Sequence, residues 1–128
     1  MLKENDVVLH LRNWLSSNGY NVLSHCLDTA PGHDIEAVSP SGRKIFIECK
    51  GGISPTTGRP FDDNYTWTCV SSAFFKMVRH MELEPNCDAG IAFPHTERYK
   101  DLMNGMESFC ARIGLRVFWI DDSGKVSE

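Results

Sequence analysis

The sequence predicts an α/β fold, a mixed central sheet flanked by helices, with elements in the order α-β-β-β-α-β-α-β. Three observations predict it. Apolar residues recur at helical spacing near the start of the chain; three short runs separated by turn residues follow; two later helical stretches each lead toward or away from a short apolar strand. Three consecutive strands read as a meander, and a helix between strands reads as a crossover to a parallel neighbour.

The first helix is expected over 4–17, where Val8, Leu11 and Leu15 step along one face and Asn18-Gly19 ends the run. Residues 20–27 read as a strand and 28–33 as a turn containing Pro31 and Gly32. Two strands, 35–38 and 44–49, flank Ser39-Pro40-Ser41-Gly42, a hairpin signature. Residues 51–64, rich in Gly, Pro, Thr and Asp, form a connection long enough to suggest a functional segment. A second helix over 70–84 puts Val70, Phe74, Met77, Val78 and Met81 on one stripe, and Pro85 stops it. A buried strand at 89–93, a third helix over 94–113 and a last strand at 115–120 complete the order, closed by Asp121-Asp122-Ser123-Gly124.

The 128 residues fit one domain spanning 1–128. Thirteen Lys and Arg against 17 Asp and Glu exclude a protein that coats nucleic acid by bulk charge. Between residues 39 and 60, however, Arg43, Lys44, Lys50 and Arg59 face only Glu48, a locally basic stretch. Five cysteines without a CxxC pair speak against both a disulfide framework and a zinc ribbon. The chain offers no signal-peptide pattern and no apolar run long enough for a membrane span, so a cytoplasmic protein that does not engage a membrane is expected.

The hairpin register follows from the pattern. If Pro40-Ser41-Gly42 is a three-residue loop with Gly42 left-handed, Ser39 opposes Arg43, Ile35 opposes Ile47 and Ala37 opposes Ile45. That face is apolar throughout and Cys49 continues it. The other face sets Asp34 against Glu48 and Glu36 against Phe46, with Lys50 beyond. Like charges directly across an antiparallel pair are destabilising, so a cation between Asp34 and Glu48 would offset the repulsion. Magnesium takes one or two carboxylates and completes its shell with water and phosphate oxygens. Lys50 lies two residues along the same face, where its amine could orient an attacking water. Glu4 falls on the apolar stripe of the first helix; it serves either this site or the helix macrodipole. Glu36 reads as a solvated or supporting acid. His33 is expected to be a packed histidine on the opposite strand face.

With these residues in hand, the chain resembles the PD-(D/E)XK nuclease superfamily, which has the restriction-endonuclease-like fold. The residues that carry the likeness are Glu4, Pro31-Gly32-His33-Asp34-Ile35 and Ile47-Glu48-Cys49-Lys50-Gly51. The element order covers nearly the whole chain. Pro31 stands three residues before Asp34 instead of beside it, and the next helix offers Ser71, Ser72, Lys76 and Arg79 in place of a Gln or Tyr signature.

The resemblance implies a magnesium-dependent nuclease, with manganese able to substitute and DNA as the substrate. It implies that Asp34, Glu48 and the main-chain carbonyl of Cys49 bind the metal, that Lys50 positions the water, and that Glu4 acts through a water or a second metal. It also implies a 5′-phosphate product. Arg43, Lys44, Arg59, Lys76 and Arg79 are candidate phosphate contacts, which orient a duplex without reading its sequence. A homodimer would supply two sites for two strands, and a protein partner could target so acidic a chain. The competing expectation is a catalytically silent module on the same fold that binds nucleic acid or a partner.

Overall fold

The computed structural model describes residues 1–28 and 32–128. The proline of the Pro31-Gly32 turn lies outside the described residues. Ten elements follow in order: α1 (Glu4–Ser17), β1 (Asn21–His25), β2 (Ile35–Val38), β3 (Lys44–Cys49), α2 (Asp63–Leu83), β4 (Asp88–Pro94), α3 (Glu97–Met103), α4 (Glu107–Ile113), β5 (Leu115–Ile120) and β6 (Val126–Ser127).

The strands form one six-stranded mixed sheet in sequential order. The first three are antiparallel, β3-β4 and β4-β5 are parallel, and β6 returns antiparallel to β5. The β2-β3 register matches the expected one: Ile35 faces Ile47, Glu36 faces Phe46 and Ala37 faces Ile45. The hairpin closes with Ser39 N donating to Arg43 O at 2.7 Å and Gly42 at φ +89°. A residue with φ near +90° bears almost no Cβ cost only if it is glycine, which is why the loop ends on Gly42.

Two apolar layers sandwich the sheet. On one face Val7, Val8, Leu11 and Leu15 of α1 pack on Ile35, Ala37, Ile45, Ile47 and Cys49, all buried. On the other, α2, α3 and α4 cover Ala89, Ile91, Phe93 and Leu115. Alternation along β3 thus gives its odd residues to the α1 layer and turns Phe46, Glu48 and Lys50 toward α2.

Four elements differ from the sequence expectation. The second helix starts at Asp63, seven residues early, because Asp62 caps it by accepting from Tyr65 N at 2.8 Å. Its buried stripe is accordingly Thr66, Cys69, Val70, Ala73 and Met77, while Val78 is exposed. The expected helix over 94–113 is two helices, broken at Asn104-Gly105, where Gly105 has φ +82°. Pro94 belongs to β4, and Thr96 caps α3. After the Asp121–Gly124 turn the chain adds β6, which the pattern did not reveal. Among the described residues no two cysteines form a disulfide, and no helix is long and apolar enough to cross a membrane.

Candidate active site

Asp34 precedes β2 and Glu48 sits near the end of β3, the pair next outward from Ile35-Ile47 in the ladder. Their carboxyls are neighbours, close enough that the charge of Glu48 disfavours ionisation of Asp34. Asp34 also accepts from the Cys49 amide at 2.7 Å, which fixes its Oδ2. Its acid is pushed up to about 7, by burial first, against which the Cys49 amide pulls down and the neighbouring Glu48 and Glu4 push up.

Glu48 is only 6% exposed. Its Oε1 takes the Lys76 amine of α2 at 2.9 Å and its Oε2 the Lys50 amine at 3.7 Å. Lys50, 18% exposed, has its own amide donated to Ala92 O at 3.0 Å, which continues the β3-β4 pairing. Burial raises the Glu4 acid; the Lys50 amine opposes this and Glu48 reinforces it, so all three side chains share one electrostatic neighbourhood.

Glu4 reaches this neighbourhood because Gly51 lets α1 come close. Gly51 meets the backbone of Lys3 and Glu4 with no room for a side chain. The Gly52 amide donates to Leu2 O at 2.9 Å, and the buried Tyr99 hydroxyl donates to Gly51 O at 2.7 Å. Burial of the Cys49 thiol, inside the α1 layer, pushes its pKa well up and leaves only its backbone for the site.

Residues 51–62 form an ordered tongue: Ile53 bridges Pro60, Ser54 N donates to Arg59 O, and Phe61 N returns to Gly52 O. Arg59 is exposed on it, and Lys76 and Arg79 line up on α2. Arg43 and Lys44 are not brought to this group. They lie at the opposite end of β3, where Arg43 pairs with Asp88 at 3.0 Å and Lys44 with Glu36 at 3.0 Å.

His33 is packed as expected, but on the other side from the one alternation implied. Its ring stacks near Phe46 (4.7 Å) and His80 (4.6 Å), on the α2 face, because residue 33 precedes the strand. Sequence reasoning missed the Lys76–Glu48 pair as a specific contact, since the residues are 28 apart and meet only through the sheet-helix packing. It also missed the part played by Tyr99.

Among the described residues, no three His, Cys, Asp or Glu side chains gather closely enough to hold a metal ion. The two carboxyls are nevertheless neighbouring hard oxygen donors, and magnesium needs no more than two carboxylates from a protein. The donor set fits a hexacoordinate divalent cation completed by a carbonyl, water and phosphate.

No family model matches the chain, and no curated protein matches it. Two solved structures are similar over nearly their whole length. An XisH family protein from Nostoc punctiforme PCC 73102 is 15% identical with a TM-score of 0.62, covering 96% of this chain and 97% of that one. An fdxN element excision controlling factor protein from Anabaena variabilis is 15% identical with a TM-score of 0.63, covering 97% of each chain. Identity at this level speaks to architecture alone, and the architecture is the restriction-endonuclease-like fold, a mixed sheet flanked by helices.

Proposed function

We propose that the chain is a divalent-metal-dependent nuclease of the PD-(D/E)XK type that hydrolyses phosphodiester bonds, in DNA first. The observation that carries this reading is the placement of Asp34 and Glu48 side by side at the end of the β2-β3 ladder, with the Lys50 amine 3.7 Å from Glu48, in a restriction-endonuclease-like sheet. Repulsion between two such acids is worth keeping only where something positive is to be bound.

Asp34, Glu48 and the Cys49 carbonyl would hold magnesium or manganese. A cation there would supply charge to polarise a phosphodiester and to acidify water. The remaining work falls to the chain. The Cys49 amide orients Asp34. Lys50, anchored through Glu48 and through its own strand pairing, presents an amine that can hold a water in line with the leaving oxygen. Glu4 adds a third acid at the edge, and Lys76, Arg79 and Arg59 offer cations to flanking phosphates.

A second reading has its own observation. Glu48 already carries two lysine partners, so its charge is met without a metal, and one structural neighbour is described as a controlling factor. On that reading the fold binds nucleic acid or a protein and cuts nothing.

Calorimetric titration with magnesium or manganese, run beside plasmid and oligonucleotide cleavage, separates the two. The nuclease reading expects binding and cutting by the native chain, loss of both in Asp34→Ala, and loss of cutting alone in Lys50→Ala. Metal binding without cleavage of any nucleic acid leaves the silent module.

A further inference from the structure

A cavity of about 320 Å³ opens directly beside the carboxylate cluster, between the start of α1, the 51–62 tongue and the start of α2. Glu4 and Lys50 form its inner side, and Ile53, Pro55, Phe61 and Tyr65 form an apolar and aromatic wall. Lys3 and Asp28 complete the charged rim, so two cations face two acids. A phosphate seat needs a surplus of cations; this lining offers none and instead offers π faces next to the reacting centre. Its size is in the range that admits one small organic group.

The aromatic wall is anchored through backbone hydrogen bonds of its two aromatic residues. Tyr65 occupies the first turn of α2, with its amide on the Asp62 cap at 2.8 Å. Tyr65 is 52% exposed, and its ring lies 4.4 Å from that of Phe61. The Phe61 carbonyl accepts from Arg98 of α3, and its amide donates to Gly52. On the opposite rim Asn5 and Asp28 exchange two hydrogen bonds, at 2.8 and 3.0 Å, which hold Asp28 at φ +58°.

We infer that this cavity seats one unpaired nucleobase next to the scissile phosphate, stacked on Tyr65, and that the substrate is therefore single-stranded or frayed nucleic acid. This rests on the nuclease reading for the word scissile, though not for the seat itself. A paired base cannot enter without leaving its stack, and that step is least costly where the nucleotide is already unpaired. Aromatic platforms bind such bases without regard to sequence, because every base has a π face.

The test uses the full chain in metal-free buffer with a short single-stranded oligonucleotide carrying 2-aminopurine, and a blunt duplex of the same sequence. The native chain is expected to quench the 2-aminopurine and to prefer the single strand. Tyr65→Leu, which keeps bulk and loses the π face, is expected to lose the quench and to bind the single strand about five- to a hundredfold more weakly. Tyr65→Phe is expected to retain both. Trp67→Ala serves as control, since Trp67 is 60% exposed but lines a separate groove with Phe74 and Phe75 on the outer side of α2. Native-like single-strand affinity in Tyr65→Leu, or an equal loss on duplex, overturns the inference. The two readings fail separately: a Tyr65-dependent quench on nucleic acid that is never cut keeps the base seat and removes the nuclease, whereas Tyr65-independent cutting does the reverse.

Discussion

A Cβ placed on Gly51 would lie 2.3 Å from the amide nitrogen of Glu4. The residue that follows Lys50 is thus in backbone contact with the helix that carries the third acid. Any side chain there must push α1 away from the sheet edge. Gly51→Ala is expected to lower stability by about 2–3 kcal/mol in urea unfolding and to reduce cleavage more than stability explains. Gly42→Ala meets no atom within 4 Å and should cost only about 1 kcal/mol, through its positive φ. Equal effects of the two would sink the contact argument.

Asp34 binds a proton more tightly in the folded chain than in the unfolded one, because its acid is pushed up to about 7. The stabilisation this brings is complete below the unfolded carboxylate value, near pH 4, and is lost as the pH rises through about 7. Metal-free protein should therefore melt at falling temperature from pH 5 to 8. Asp34→Asn is expected to flatten that slope and to gain about 1–2 kcal/mol at pH 8, the acid being half-buried. Magnesium should flatten it in the native chain as well. A slope unchanged in Asp34→Asn would assign the proton elsewhere.

Lys76 holds Glu48 Oε1 at 2.9 Å, and on the proposed metal reading it would compete with a cation for that carboxylate. Lys76→Met is expected to tighten divalent-cation binding several-fold in calorimetry while costing the metal-free protein about 0.5–1 kcal/mol, since the lysine is partly exposed. If phosphate contact is its second role, the same variant binds DNA more weakly and with a shallower salt dependence. Weaker cation binding in Lys76→Met would mean that the lysine orders Glu48 instead of competing with a metal.

The buried Tyr99 hydroxyl ties α3 to the Gly51 carbonyl. Tyr99→Phe should cost about 1–2 kcal/mol, because that carbonyl loses its partner out of reach of water. Cleavage is expected to fall with little change in cation affinity, as Lys50 loses the anchor of its neighbour. A variant with native stability and activity would remove Tyr99 from the positioning scheme.

The strand part of this fold was legible because period two is unforgiving: a one-residue slip would have buried Glu36 and exposed Ile45. The same pattern brought Asp34 and Glu48 together on paper. Helix ends were less legible. Tyr65-Thr66-Trp67-Thr68 is a run of β-formers, and the signal that overrides it is a single cap, Asp62. Asn104-Gly105 did announce the break between α3 and α4, but helical spacing masked it. Alternation misplaced His33 because it holds only inside a strand. Contacts made across layers, Lys76 with Glu48 and Tyr99 with Gly51, left no local trace, since tertiary packing alone brings such residues together.

The hydrogen bond from Cys49 to Asp34 gives the site a built-in reporter. One backbone proton points at an acid that gives up its own proton as the pH rises through about 7. Its nuclear magnetic resonance shift should follow that single event, through pH, cation or bound nucleic acid. The occupancy of the cluster can then be read in solution from one peak of an otherwise unaltered chain, without a probe attached and before any catalysis is measured.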